Sequence, residues 1–100
     1  MIRHIVMWQL LDQVDGVDKA VLLDKAKALL LSCAQVVPGI HTFEVATAAP
    51  GLECDCDLLL HMLVEDAQVL QAYQHHPDHE AIKPFMKSIR QSRHCMDFVI

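Results

Sequence analysis

Hydrophobic and polar positions alternate with period two at the start of the chain. Over residues 2–9, Ile2, His4, Val6 and Trp8 share one face and Arg3, Ile5, Met7 and Gln9 the other, which is the spacing of a strand. The polar stretch Leu11-Asp12-Gln13-Val14-Asp15-Gly16 predicts a loop, and either Asp15 or Asp18 can cap the helix that follows. In that helix Leu22, Ala26, Leu29, Leu30, Cys33 and Val37 recur at three- and four-residue spacing. Asp18, Lys25 and Ser32 lie opposite, and Pro38-Gly39 ends the helix. Alternation returns over residues 40–47, with His41, Phe43 and Val45 against Thr42, Glu44 and Ala46. After a turn at residues 48–53, a third strand covers residues 55–64. There Leu58, Leu60, Met62 and Val64 form one face and Asp57, Leu59, His61 and Leu63 the other. Both faces are largely apolar, so this strand is expected to be covered on both sides.

Asp66 is placed to cap a short helix carrying Val69, Leu70 and Tyr73. Pro77 then divides the chain. Its fixed φ and missing N–H stop a helix from running through it and push His76 toward an extended conformation. Tyr73 is therefore expected on the last turn of one helix and His79 on the first turn of the next. Asp78 can cap that next helix, which carries Ile82, Phe85, Met86 and Ile89. Pro84 predicts either a kink in it or a turn followed by a helix starting at Pro84. The last strand, residues 94–100, sets His94, Met96, Phe98 and Ile100 against Cys95, Asp97 and Val99. The order β-α-β-β-α-β is α+β and ferredoxin-like: a four-stranded antiparallel sheet with helices on one face.

Such a layout leaves one sheet face bare, with Ile5, Met7, Leu59 and Leu63 on it. An exposed apolar face of this kind predicts an interface, and a two-fold, sheet-on-sheet homodimer is the simplest way to cover it. At 100 residues the chain is expected to form one domain, residues 1–100. The formal charge of −5 argues against nucleic acid and against an anionic membrane surface as partners. Ile2-Arg3-His4-Ile5 shows neither the n-region nor the cleavage site of a signal peptide, and no apolar run reaches membrane-spanning length. Cys33, Cys54, Cys56 and Cys95 are accordingly expected to stay reduced, in a cytoplasmic protein.

The chemistry concentrates in Tyr73-Gln74-His75-His76-Pro77-Asp78-His79, where three histidines and the chain's one tyrosine fall within seven residues. A histidine beside a helix N-terminus has its imidazolium form disfavoured by the helix dipole, which suits His79 to act as a base near neutral pH. Tyr73 can donate to a developing enolate or phenolate oxygen. His4, on an otherwise apolar strand face, requires a hydrogen-bond partner, and the corner from Tyr73 to His79 could supply one. A cavity at this place would be walled by Val6, Trp8, Leu58, Leu60 and Met62, with His76 at its edge and Leu22, Ala26 and Leu29 from the first helix. The alternative is a filled core. A metal reading would use His75, His76 and His79 with Asp78 and Glu80, but the spacing matches no zinc signature and His75 and His76 diverge around the proline. No metal is expected. Cys54-x-Cys56 is a single short pair and reads as spectator thiols.

His4-Ile5-Val6-Met7-Trp8, Pro38-Gly39-Ile40, Phe43-Glu44-Val45, Tyr73 with His76-Pro77-Asp78-His79, and Asp97-Phe98 together resemble the stress-responsive α/β-barrel (dimeric α/β-barrel) domain family over the whole chain. The resemblance implies a ferredoxin-like monomer that pairs through its sheets into a barrel. Most members of that family have no assigned reaction and are known as stress-associated proteins. One plant branch, of the olivetolic acid cyclase type, closes a linear polyketide by an aldol condensation without a cofactor. Its tyrosine and histidine match Tyr73 and His79, and its strand-one histidine matches His4. Its third-strand histidine has no counterpart: Leu58 stands there, and His61 falls on the opposite face. Three functions are carried forward. The first is a dimer whose apolar cleft beside Tyr73 and His79 binds a small hydrophobic or aromatic molecule. The second is a cofactor-independent lyase or cyclase with His79 as base, Tyr73 as oxyanion donor and His4 orienting the pair. The third is a non-catalytic structural or interaction dimer.

Overall fold

The computed structural model describes residues 1–100. β1 (Ile2–Leu10) leads into a small hairpin of β2 (Gln13–Val14) and β3 (Val17–Asp18), followed by α1 (Lys19–Leu31), β4 (Ile40–Thr47) and β5 (Leu58–Val64). α2 (Ala67–Gln74), α3 (Pro77–Ile89) and β6 (Arg90–Val99) complete the chain. The four long strands pair antiparallel in the order β4-β5-β1-β6, the ferredoxin-like topology.

Alternation decides which face each strand buries. His4, Val6, Trp8 and Leu10 of β1 point toward the helices, beside Leu58, Leu60, Met62 and Val64 of β5, and all eight are buried. The register sets His4 opposite Met62, Val6 opposite Leu60 and Trp8 opposite Leu58. Leu22, Ala26 and Leu30 of α1, Leu70 and Tyr73 of α2, and Ile82, Met86 and Ile89 of α3 close this core from above. Fully burying a side chain of this size contributes about 1.5–3 kcal/mol. The core is therefore where the fold gains most of its stability.

Several local features differ from the sequence reading, each for a physical reason. The stretch read as a loop folds as the β2–β3 hairpin, because Asp15 (φ 51°) and Gly16 (φ 79°) supply the two left-handed residues of a tight turn between Val14 and Val17. α1 stops at Leu31, six residues before Val37. The Ser32 hydroxyl turns back to donate to the Leu29 carbonyl at 2.6 Å, and the next amides bond three residues back instead of four. No new helix starts at Pro84: α3 runs through it with Pro84 on the exposed side, and the Glu80 carbonyl is left without its helical N–H partner. β6 begins at Arg90, directly from the end of α3, rather than at His94. Its first residues are polar because β6 is an edge strand with one side open to solvent.

The turns that lead into the helices position the site. Asp66 caps α2 by accepting the Val69 N–H at 2.9 Å. α3 is capped by His76 and not by Asp78: the ring Nδ1 of His76 accepts the Asp78 N–H at 3.1 Å, with Pro77 at the first helical position. Gly39 has φ +94°, and a Cβ there would come within 2.8 Å of a Val69 methyl. Only glycine lets the entry to β4 pass this close to α2.

The helix-free face carries Ile5, Leu59, Leu63 and Phe98, all half-buried, with Met7 and Met96 exposed. Arg3 bonds His61 at 2.8 Å, and His61 in turn faces Glu44 at 3.5 Å. No helix is long and apolar enough to cross a membrane.

Candidate functional site

A cavity of about 350 Å³ opens where α3 crosses the β1–β6 edge of the sheet. That is the scale of small-molecule pockets, about 300–1,000 Å³. β1 contributes His4, Val6 and Trp8, β5 contributes Leu60, and α1 contributes Leu30. Gln74 and His79 come from the α2–α3 corner, Ile82, Lys83, Met86 and Lys87 from the body of α3, and Arg90 and Arg93 from β6.

His79 is half-buried on the first turn of α3. Its Nδ1 lies 3.0 Å from the Gln74 carbonyl, which can only accept, so Nδ1 carries the proton and Nε2 is left as an acceptor. Burial lowers its pKa below the ordinary imidazole value, and Lys83 and His4 press the same way against the opposing pull of the Gln74 carbonyl. His79 is thus a neutral base near pH 7, with desolvation as the leading cause.

His4 is buried at the far side of the cavity. Its partner is not the corner stretch, as expected, but Asp97, directly opposite it in the β1–β6 ladder. The Nδ1–H donates to the Asp97 carboxylate, which fixes the ring orientation and turns Nε2 toward the cavity. The geometry is that of an acid-oriented histidine.

Tyr73 packs behind His79 and does not line the cavity. Its ring centroid is 4.6 Å from that of His79, and its far edge meets Phe43 at 6.0 Å. Its hydroxyl is fully buried without a hydrogen-bond partner, and burial holds the phenol well above its ordinary pKa. Tyr73 therefore stays protonated and sets the pitch of the His79 ring.

The other expected contacts divide. Val6, Trp8 and Leu60 line the cavity. Leu58 and Met62 share their face of β5 but are completely buried and do not reach it. Leu22 and Ala26 are core residues, and Leu30 takes the place expected for Leu29. His76 is committed to capping α3 and lies outside the lining. His61 projects to the helix-free side, and Leu60 is the residue of β5 that lines the cavity.

The histidines of the corner do not converge on a metal. His75 is exposed beside Glu80 at 3.7 Å, His76 caps the helix, and His79 is tied to Gln74. His4, Cys95 and Asp97 bring ligand-type atoms within 4.8 Å of one another. There, however, the His4 proton already occupies the carboxylate, and burial with the nearby Asp97 charge raises the Cys95 pKa and keeps it a thiol. Hydrogen bonding accounts for this trio. Cys54 and Cys56 are free thiols at the opposite side of the sheet, and burial raises the pKa of Cys56.

The family model for the stress-responsive A/B barrel domain matches residues 2–100. No curated protein matches the chain. Among solved structures, a dimeric protein of unknown function with a ferredoxin-like fold from Bacteroides fragilis is 24% identical, covering 99% of this chain and 95% of its own, with a TM-score of 0.81. A dimeric ferredoxin-like protein of unknown function from Thermobifida fusca is 19% identical over 99% and 90%, at a TM-score of 0.84. A Dabb family protein with a ferredoxin-like fold from Mesorhizobium loti is 24% identical over 99% and 95%, at 0.70.

Proposed function

Because the chain belongs to the stress-responsive A/B barrel domain family, we propose that it is a homodimer whose cavity beside His4 and His79 binds a small hydrophobic or aromatic molecule. One observation carries this reading. Two imidazoles line a single cavity that also has an apolar wall, and each has its Nδ1 occupied by a fixed partner, so both turn Nε2 toward the cavity. A packed core has no use for two oriented imidazoles at a cavity wall.

The dimer reading rests on the helix-free face. Ile5, Met7, Leu59, Leu63, Met96 and Phe98 form an apolar surface there, and relatives of the same fold are described as dimeric. A two-fold pairing of these sheets leaves the cavity open, since it lies on the helix side.

A reaction also fits the geometry. His79, neutral and half-buried, takes a proton from a carbon next to a carbonyl of the bound molecule. Tyr73 holds the His79 ring, and His4, oriented by Asp97, receives or returns the proton on the other side. This is cofactor-independent lyase or cyclase chemistry. The observation favouring it over simple binding is the lowered pKa of His79 in a geometry that leaves Nε2 free.

The test is an NMR titration of the histidine rings with and without a panel of small aromatic and polyketide-like molecules. Binding is expected to shift His79 and His4 and leave the exposed His75 unmoved. If no compound moves either ring, the cavity is not a ligand site and the chain is a structural dimer. For compounds that bind, turnover lost in a folded His79→Ala variant separates catalysis from binding.

A further inference from the structure

We propose that the molecule bound in this cavity carries an anionic group, a carboxylate or a phosphate, at the end nearest Arg90 and Arg93. The inference rests on the ligand-binding reading above and adds the chemical class of the ligand. The chain is acidic, with 13 Asp and Glu against 8 Lys and Arg. Four of those cations, Lys83, Lys87, Arg90 and Arg93, nevertheless line this one cavity, and no carboxylate does.

Chance placement on an acidic surface does not favour that concentration, and the elements that create it are specific. Lys83, Lys87 and Arg90 follow one another at four and three residues, so they form a single stripe along α3 and into its end. Arg93 joins them from β6, opposite Trp8 and on the same side of the sheet. Only Lys83 has a carboxylate partner, Glu80 at 2.8 Å; Lys87, Arg90 and Arg93 have none within ion-pair distance. Like charges four residues apart on a helix repel. A bound anion removes that repulsion.

The rest of the lining describes the remainder of the ligand. Val6, Trp8, Leu60, Ile82 and Met86 offer an apolar surface to a hydrocarbon or aromatic body. The two imidazoles lie toward the other end: His4 is four residues along β1 from Trp8, which Arg93 faces, and His79 is on the first turn of α3, whose far end is Arg90, so they meet the ligand away from its anionic group. Guanidinium groups bind planar carboxylates or phosphate oxygens through two parallel hydrogen bonds, which makes Arg90 and Arg93 the natural clamp. The lysines act as point charges that draw the anion in.

Three probes of matched shape test the proposal by calorimetry on the intact protein: 4-phenylbutanoate, 3-phenylpropyl phosphate, and the uncharged 4-phenylbutanamide. An acid is expected to bind about tenfold or more tighter than the amide, the scale of a charge-assisted hydrogen bond. The tighter of the two acids identifies the anionic group. Arg90→Gln is expected to erase the preference for the acid, weakening the acids far more than the amide. Lys87→Gln, at an exposed position outside the strands, reduces the same preference and serves if Arg90→Gln does not fold. Equal binding of amide and acids overturns the anion proposal but leaves the cavity a ligand site. If neither the acids nor the amide bind, the ligand-site reading falls and this inference falls with it.

Discussion

His4 and Asp97 stand opposite each other across the β1–β6 ladder, and the imidazole Nδ1–H donates to the carboxylate. The two residues are 93 apart in sequence, yet each lies in a strand whose alternation puts its side chain on the helix side. His4 is 3% exposed, so Asp97 is what makes a buried imidazole tolerable there. The same bond aims Nε2 at the cavity.

Asp97→Ala should therefore destabilise the protein by about 1–3 kcal/mol, the cost of leaving a buried donor unpaired. Asp97→Asn should cost less stability but release the His4 tautomer, because an amide can offer either a donor or an acceptor. Urea unfolding measures the first effect, and nitrogen chemical shifts of the His4 ring measure the second. An Asp97→Ala variant as stable as the parent would mean that His4 finds another partner, and the oriented-histidine reading of the site would fail.

Much of the fold was legible because it follows from period. Val6 and Trp8 against Ile5 and Met7 mark β1 as a strand, and Leu58 to Val64 with both faces apolar mark β5 as covered on both sides, from pattern alone. The corner was legible too, since Pro77 separates Tyr73 from His79 wherever they end up. Asp97 was harder to read. It sits in an alternating strand like any polar residue, and only the pairing register reveals its partner. Arg90 and Arg93 gave no local sign either, because a strand that begins in polar residues at a sheet edge lacks the apolar alternation that marks strands. The cationic rim exists only once α3 and β6 meet over β1. The β2–β3 hairpin carried a sign in Asp15-Gly16, but strands of two residues are too short to show a period.

His79 makes stability depend on pH in a defined direction. Its folded-state pKa lies below the ordinary value of 6.5, chiefly through burial. Between those two values the unfolded chain binds the proton and the folded chain does not, so stability rises with pH across that window. The contribution is complete above pH 6.5 and is lost as pH falls toward the folded-state value. Denaturant midpoints at pH 7.5 and 5.5 should fall further on acidification in the parent than in a His79→Gln variant. An identical fall in both would show that His79 titrates as it does in the unfolded chain.

Tyr73 gives an asymmetric pair of variants. Its hydroxyl is buried and unpartnered, so Tyr73→Phe removes a desolvated polar group and keeps the ring. Stability should be unchanged or raised by about 1 kcal/mol. Tyr73→Ala removes the ring that packs between His79 and Phe43 and should cost about 3–5 kcal/mol. Thermal unfolding of both variants checks this. A marked loss in Tyr73→Phe would assign the hydroxyl a bond that holds the fold, and its role would then extend beyond positioning the His79 ring.

The proposed dimer is tested most directly at Met96. It is 65% exposed on the helix-free face, beside Ile5 in the ladder and away from the cavity. In a two-fold interface one substitution enters twice, so Met96→Glu sets two carboxylates into the same apolar contact. The expected penalty is about 2–4 kcal/mol, enough to raise the dimer dissociation constant by roughly 30- to 1,000-fold. Val21→Glu, also exposed but on α1, should leave the dimer intact. Sedimentation velocity over a range of concentrations distinguishes these outcomes. If Val21→Glu dissociates the protein and Met96→Glu does not, the pairing surface lies on the helices.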